Sequence, residues 1–399
     1  MRLPVLIIIA LILIASGLSF YIYQAIRRHS RDKRYRFIFA TIASLFIASL
    51  LSIFFMPVRT GSDKMLQAVM WILYSFLSFL TVEIVFVLFD CLAWLCDKIY
   101  KKNRTSRRWP VLSIVGAGLS LVIFVLMWWG ALFNRYHTDV RTVDVNVTNL
   151  PPAFEGFRIA QISDLHLGSY NCDTTYISQL VDRINTLHPD LIVFTGDIVN
   201  RRSEELTPFV PVLKRLNAPF GVYSIMGNHD YGDYVDWANL SEKISNLDML
   251  KIMQKSMGWH MLNNEHDFLV NKGDTLVLIG VENVGDPPFH TYGDLAKSYS
   301  TLGDSRTKIL LSHNPAHWHN DIRNKPDTKI DLTLSGHTHA MQIELLGISP
   351  AALRYNEWGG LYDDSAGHLL YVNIGIGTVA MPARIGATPE LTLLILRNK

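Results

Sequence analysis

The chain has 399 residues, enough for two or more domains. Its 37 basic and 35 acidic residues leave a formal net charge of +2, and no basic tail or stripe marks the second half, which argues against a nucleic-acid partner. Three cysteines, Cys91, Cys96 and Cys172, provide no disulfide framework.

The first 133 residues are long apolar runs divided by basic clusters. Four runs, 3–25, 37–56, 66–96 and 110–133, each reach the length that crosses a bilayer, about 20 mostly apolar residues. A signal peptide competes for the first run, but its length and the basic stretch directly after it favour a retained helix. Pro57 stops the second run. The third is longer than a bilayer requires, so it tilts or emerges. It carries Glu83 and Asp90, seven residues apart and so on one helical face. Acids within a membrane are functional candidates. The expectation here is plainer, a position near the headgroups where the long helix leaves the membrane.

Arg27, Arg28, Arg31, Lys33, Arg34 and Arg36 form one basic loop, and Lys98, Lys101, Lys102, Arg104, Arg107 and Arg108 a second. In a four-span bundle both loops lie on one side, and loops rich in Lys and Arg stay cytoplasmic. The chain therefore reads as an integral, multi-pass protein of a bacterial inner or plasma membrane. Everything after residue 133 is then extracytoplasmic.

Residues 134–399 have the pattern of a soluble α/β domain. Strands are predicted over 139–147, 157–162, 190–194 and 221–226, and helices over 176–187, 206–216 and 232–257. Short strands follow at 261–262, 268–270, 275–281, 308–311 and 330–334, with a loop over 285–299 containing Pro287-Pro288. The strand pattern returns at 369–374 and 391–396. This alternation places functional groups at the carboxyl ends of the strands.

Five of these runs end abruptly in Asp, Asn or His: Ser163-Asp164-Leu165-His166, Thr195-Gly196-Asp197, Gly227-Asn228-His229-Asp230, Ser312-His313-Asn314 and Ser335-Gly336-His337-Thr338-His339. Asp164, His166, Asp197, Asn228, His313, His337 and His339 together offer carboxylate, amide and imidazole ligands without a thiolate. That set suits two divalent cations, Mn, Fe or Zn, rather than a structural zinc. Two such cations repel, so an anion has to bridge them. Asp197 has two oxygens for the purpose, and a shared hydroxide would be the second bridge and a nucleophile at neutral pH. Glycines 196, 227 and 336 are expected to turn the backbone sharply so that each ligand points inward. His229 is the candidate catalytic acid, oriented by Asp164 or Asp230.

In the same order, these five blocks resemble the signature of calcineurin-like metallophosphoesterases. The resemblance covers about residues 140–397. Leu150-Pro151-Pro152-Ala153-Phe154-Glu155-Gly156, Pro382-Ala383-Arg384 and Pro389-Glu390-Leu391-Thr392 are further similar to the bacterial YkuE/YaeI-type subgroup. That subgroup resembles the animal transmembrane protein with a metallophosphoesterase domain. The resemblance implies a four-layer α/β/β/α sandwich behind about four transmembrane helices. It also implies one metal on Asp164, His166, Asp197 and His339, a second on Asp197, Asn228, His313 and His337, and His229 as the catalytic histidine. Glu282-Asn283 departs from the Asp-Asp of many relatives, at a position given no metal role. Arg384 and Glu390 are expected to be structural.

The implied activity is that of a membrane-anchored phosphoesterase acting on a phosphate ester, phosphodiester or pyrophosphate. Some members of the subgroup cleave UDP-2,3-diacylglucosamine in lipid A synthesis, so a phospholipid or lipid pyrophosphate is the expected substrate class. An outer-face domain fits a phospholipid or polyprenyl phosphate better than a nucleotide-linked precursor. A non-catalytic membrane sensor or scaffold on the same fold is the alternative, although Asp197 and His229 are both present. A transport role for the helices rests only on Glu83 and Asp90. His188, His260, His266, His290, His317, His319 and His368 lack ligand-like spacing, with His317 and His319 nearest to His313. The stretch 348–362, with Tyr355, Trp358 and Tyr362, is either a lip over the site or an ordinary packed loop.

Overall fold

Four apolar helices open the chain, α1 (Val5–His29), α2 (Lys33–Ser52), α3 (Asp63–Tyr100) and α4 (Pro110–Leu132). All four are long and apolar enough to cross a membrane. The computed structural model describes residues 5–56, 60–100, 110–286, 290–325 and 327–399. Pro57, Lys101, Lys102, Arg104, Arg107, Arg108 and the Pro287-Pro288 turn lie outside the described residues. The chain divides into two compact units, Met1–Leu132 with Ala380–Ala383, and Phe133–Val379 with Arg384–Lys399.

In the helical unit the first basic cluster is mostly helical rather than a loop. Arg27 and Arg28 end α1, and Lys33, Arg34 and Arg36 begin α2. Asp32 makes the break, its carboxylate accepting from the Arg34 N–H as an N-cap. An aliphatic and aromatic core of Ile8, Ala15, Leu50, Ile53, Val69, Phe76 and Leu80 joins α1, α2 and α3. Glu83 and Asp90 are both buried among the helices. Ser19 of α1 donates to Glu83 at 2.5 Å. Tyr21 and Ser113 each donate to Asp90 at 2.8 Å, and the Arg28 guanidinium stands 3.5 Å from it. The heptad spacing put both acids on one face, and that face turns toward polar groups of α1 and α4. Buried carboxylates persist only with such partners.

The second unit contains, in chain order, β1 (Asp139–Val147), β2 (Arg158–Ile162), α5 (Thr175–Thr186), β3 (Leu191–Phe194), α6 (Val210–Leu213), β4 (Val222–Ser224), α7 (Leu240–Ser256) and β5 (His260–Met261). There follow β6 (Glu265–Asn271), β7 (Asp274–Gly280), α8 (Leu295–Ser298), β8 (Lys308–Leu311), β9 (Leu332–Ser335), β10 (Gly360–Asp363), β11 (Leu369–Val372) and β12 (Glu390–Asn398). One six-stranded sheet has the order β1-β12-β2-β3-β4-β5, and the other β10-β11-β9-β8-β7-β6. Both are mixed: β12 runs antiparallel to β2, and β6 and β10 run antiparallel to their neighbours.

Period-two alternation builds the layers. Leu191 and Val193 of β3 enter the core between the sheets, where Leu276, Leu278, Ile309, Leu311, Leu332 and Leu334 meet them. Ile192 and Phe194 point the other way, against Ile177, Leu180 and Ile184 of α5 and Leu250 of α7. Val277, Ile279 and Leu310 cover the outer face of the second sheet together with Trp318 and Ile322. The product is an α/β sandwich with a thinner outer layer on the second sheet, made of α8 and one π-helical turn, Trp318–Ile322.

Three predicted segments differ. The helix expected over 206–216 is a 3-10 stretch, Ser203–Phe209, followed by the one-turn α6, because Pro208 and Pro211 remove amide donors. The helix expected from 232 begins at Leu240, where Asn239 caps it by accepting from the Glu242 N–H. The segment 285–299, expected as loop, contains α8, capped by Asp294.

Candidate metal centre

Strands β2, β3, β4, β8 and β9 end on one side of the sandwich, and each delivers one of the five predicted loops there. The loops are tied backbone to backbone. Asp164 N–H donates to Gly196 O at 2.9 Å, His166 N–H to Asp197 O at 3.2 Å and Gly336 N–H to His313 O at 2.9 Å. His337 N–H donates to the Asp164 carboxylate at 3.0 Å, which joins the last loop to the first.

Two devices aim the side chains. Asp164, His166, Asp197, His337 and His339 all have positive φ, so five of the seven predicted ligands hold a left-handed backbone. Such strain concentrates at functional sites. The glycines act differently from expectation. Gly196 does turn through a positive φ of 99°. Gly227 and Gly336 do not; they are small because a Cβ at 227 would meet Asp197 Oδ1 at 2.2 Å, and one at 336 would meet Asp164 Oδ2 at 2.4 Å.

The predicted residues converge into three overlapping groups: Asp164, His166 and His339; His166, Asp197 and His229; Asp197, His313 and His337. Within each group the ligand atoms lie within 4.8 Å of one another. Asp197 is shared, and the whole is a pair of candidate divalent-metal clusters suited to a dinuclear centre. The spacing tests the fit. Two atoms each about 2.1 Å from one cation and about 90° apart stand about 3.0 Å from each other. His166 Nε2 and His339 Nε2 are 3.0 Å apart, and His339 Nε2 is 3.3 Å from Asp164 Oδ1. On the other side His313 Nε2 is 3.3 Å from Asp197 Oδ2 and 3.2 Å from Asn228 Oδ1. His166 Nε2 is 3.6 Å from the same Asp197 oxygen. The residues present fit two cations.

The electrostatics agree with that fit. Burial drives His166 well below the usual histidine range, with the His229 charge adding to the effect. Burial also holds His337 down to about 3 and lowers His339. Three imidazoles are therefore kept neutral, the state that offers a lone pair. Burial opposes ionisation of Asp164 and Asp197, but the adjacent His339 and His313 outweigh it and hold both below the carboxylate range. Burial likewise opposes charging His313, yet the Asp197 carboxylate pushes it up to about 9. A cation arriving there displaces that proton.

His229 is oriented by neither Asp164 nor Asp230. Its Nδ1 lies 2.7 Å from the Asn200 carbonyl, and its backbone N–H donates to Asp197 Oδ1 at 2.8 Å. Asp230 faces away and accepts from the backbone N–H groups of Asp197, Ile198 and Gly227, each at 2.9 Å. It stiffens two of the ligand loops instead.

Sequence reasoning missed Asn200 and Tyr234. Tyr234 stacks on the His229 ring, centroids 4.2 Å apart, and accepts from Asn228 Nδ2 at 2.8 Å. Burial pushes the phenol up to about 12, so it stays protonated. No motif marks either residue: one acts through a carbonyl, the other lies in a polar segment that reads as helix but is not helical before Leu240. Tyr355 reaches the centre, its OH 3.1 Å from His337 Nε2, whereas Trp358 packs against Ala340 and Ile374, and Tyr362 against the outer-face cluster of the second sheet. Arg384 is fully buried and donates to the carbonyls of Gly377 and Ile374, with Nη2 3.1 Å from His339 Nδ1. Glu390 is buried, paired with the half-exposed Arg141 at 2.9 Å and accepting from Tyr371 at 2.7 Å.

The other histidines stand outside the three groups. His319 meets Glu357 at 3.1 Å, His317 meets Ser312 at 2.9 Å, His266 the Ser298 carbonyl and His368 Asp364.

Comparison with known proteins agrees with the architecture. A family model described as calcineurin-like phosphoesterase matches residues 157–341, and one described as probable calcineurin-like phosphoesterase, transmembrane domain, matches residues 1–135. The transmembrane protein with metallophosphoesterase domain of Bos taurus is 31% identical over 316 residues, covering 77% of this chain and 68% of that protein. The uncharacterized metallophosphoesterase YkuE of Bacillus subtilis is 32% identical over 259 residues, 62% of this chain and 82% of that one. The UDP-2,3-diacylglucosamine pyrophosphatase LpxG of Chlamydia trachomatis is 28% identical over 322 residues, 68% of this chain and 93% of that one.

Proposed function

This chain belongs to the calcineurin-like metallophosphoesterase family, and on that premise we propose that it is a membrane-anchored two-metal phosphoesterase acting on a lipid phosphate or lipid pyrophosphate. The observation that carries the proposal is one carboxylate, Asp197, shared by clusters whose donor atoms already stand at the spacing of ligands on a cation. In this reading residues 1–133 are the anchor and 134–399 the catalytic domain. Asp164, His166, Asp197 and His339 hold one metal, and Asp197, Asn228, His313 and His337 the other.

When bound, the two cations supply an activated water and neutralise charge that develops on the phosphoryl oxygens. The chain does the rest. Asp197 is held by the His229 N–H so that its other oxygen faces His313 and His166. The neutral rings of His166, His337 and His339 present lone pairs without first losing a proton. Asn228 is turned by Tyr234, which takes its amide N–H and leaves the carbonyl oxygen beside His313. His229 is fixed through Nδ1 on Asn200, so Nε2 is the nitrogen available to the centre. From there it donates a proton to the leaving oxygen, a role worth on the order of 10²–10⁴ in rate.

The lipid class is supported by the anchor and by the likeness to LpxG, a UDP-2,3-diacylglucosamine pyrophosphatase by name. The charge bias of the basic clusters supports a domain on the extracytoplasmic face, and that side would favour a phospholipid over a nucleotide-linked precursor. The test is turnover by full-length protein with Mn, on bis(p-nitrophenyl) phosphate and on a lipid phosphate in mixed micelles. Asp197→Ala and His229→Ala should each lower kcat by about 10² or more. Unchanged Mn-dependent hydrolysis by either contradicts the mechanism. A reporter fused after Lys399 that is active in the cytoplasm contradicts the placement.

A further inference from the structure

The segment from Met341 to Leu353 leaves the metal centre and returns to it. It starts two residues after His339 and ends two residues before Tyr355, whose OH touches His337. Its base is firmly tied. Glu344 N–H donates to Ile385 O and Ile385 N–H to Gln342 O, both at 2.8 Å. Ser349 Oγ donates to Ala340 O at 2.6 Å. At the tip, Leu345 and Ile348 exchange hydrogen bonds of 2.9 and 3.0 Å around a two-residue loop, Leu346-Gly347.

That tip is unfavourable in water on two counts. Leu346 has φ of 54° and Gly347 φ of 78°. Two-residue turns with positive φ at both positions select Asn or Asp followed by Gly, because a larger side chain clashes there. A leucine occupies the first position and is 94% exposed. Leu345 is 70% exposed, Ile348 73% and Leu353 92%. Glu344 is the single charge between Met341 and Leu353. Arg354 follows directly, paired with Asp286 at 3.0 Å. A strained, rigidly mounted aliphatic tip with a cation at its edge is suited to an apolar phase bordered by head groups. The chain brings that phase with it, since four candidate spans tether the domain to a bilayer.

We infer that the turn Leu345–Ile348, together with Leu353, is an interfacial anchor that enters the hydrocarbon of the bilayer and presents a lipid head group to the metal centre. The delivery step rests on the phosphoesterase reading; the insertion does not. Leu346→Cys in full-length protein with Cys91, Cys96 and Cys172 each replaced by Ser is labelled with the dye NBD and reconstituted into phosphatidylcholine vesicles. Leu353→Cys is a second probe, and Arg183→Cys is the control on an exposed helix surface. The inference expects blue-shifted emission at 346 and 353, quenched by nitroxides on the acyl chains, with neither effect at 183. Water-like emission at both sites overturns it. A blue shift without acyl-chain quenching also overturns it, because a protein surface, such as a second copy, then covers the tip. Activity is read separately. Leu346→Ser with Leu353→Ser should lower kcat/KM on a bilayer-borne lipid phosphate, relative to bis(p-nitrophenyl) phosphate, by about tenfold or more. If neither substrate is turned over by the unaltered protein, the phosphoesterase reading fails and the dye still decides the anchor.

Discussion

Gly336→Ala adds one methyl group at the point where the last ligand loop crosses the first. No positive φ is required there, so the substitution does not strain the backbone itself. The new carbon would lie 1.9 Å from Ser163 Oγ and 2.4 Å from Asp164 Oδ2. Non-bonded atoms rest about 3.5 Å apart or more, so the Asp164 carboxylate has to retreat by about 1 Å. Overpacking of this kind costs about 1–3 kcal/mol of stability. Disturbing the groups that orient a metal ligand typically costs about 10–100-fold in metal affinity. The assay is calorimetric titration of chelator-stripped full-length protein with Mn, alongside a thermal melt. We expect the tighter binding step to weaken within that range. A Gly336→Ala protein that binds Mn as the unaltered chain does would refute the claim that Asp164 is wedged against this loop to receive a cation.

Tyr234→Phe keeps the ring stacked on His229 and removes the oxygen that accepts from Asn228. One such bond is worth about 0.5–1.5 kcal/mol, so affinity at the Asn228 side should fall about 2–13-fold; titration at the unaltered value contradicts the positioning role. His317 is buried beside Ser312, and burial lowers it to about 4 from a usual 6.5. Below 6.5 the unfolded chain takes up a proton that the fold refuses, so stability rises with pH between about 4 and 6.5 and is lost on acidification, by up to about 3 kcal/mol. Denaturant melts at pH 7 and pH 4.5 should show that loss shrink in His317→Phe, and an unchanged difference would sink the assignment.

The strands of the second unit were legible because their residues are buried on both faces or alternate, as in β3, β8 and β9. The five loops were legible because each ligand type follows an apolar run at once. Strand β10 was not: Gly360, Leu361, Tyr362 and Asp363 form a half-exposed edge whose pairing with β11 is decided across the sheet. The segment 206–216 showed apolar residues at helical spacing, but two prolines overrode the period. The groups that orient the site were the hardest to see. Asn200 acts through a backbone carbonyl, and Asp230 through backbone amides of another loop, contacts that any residue pattern leaves unmarked. For Glu83 and Asp90 the shared face was readable, but its partners, Ser19, Tyr21 and Ser113, come from helices whose packing no local pattern encodes.

The central claim is that one carboxylate joins two cations. Metal content by plasma mass spectrometry on full-length protein, equilibrated with Mn and freed of excess, tests it most directly. The account predicts two ions per chain, falling to one or none in Asp197→Ala. A single ion in the unaltered protein, or two retained after loss of Asp197, would contradict it.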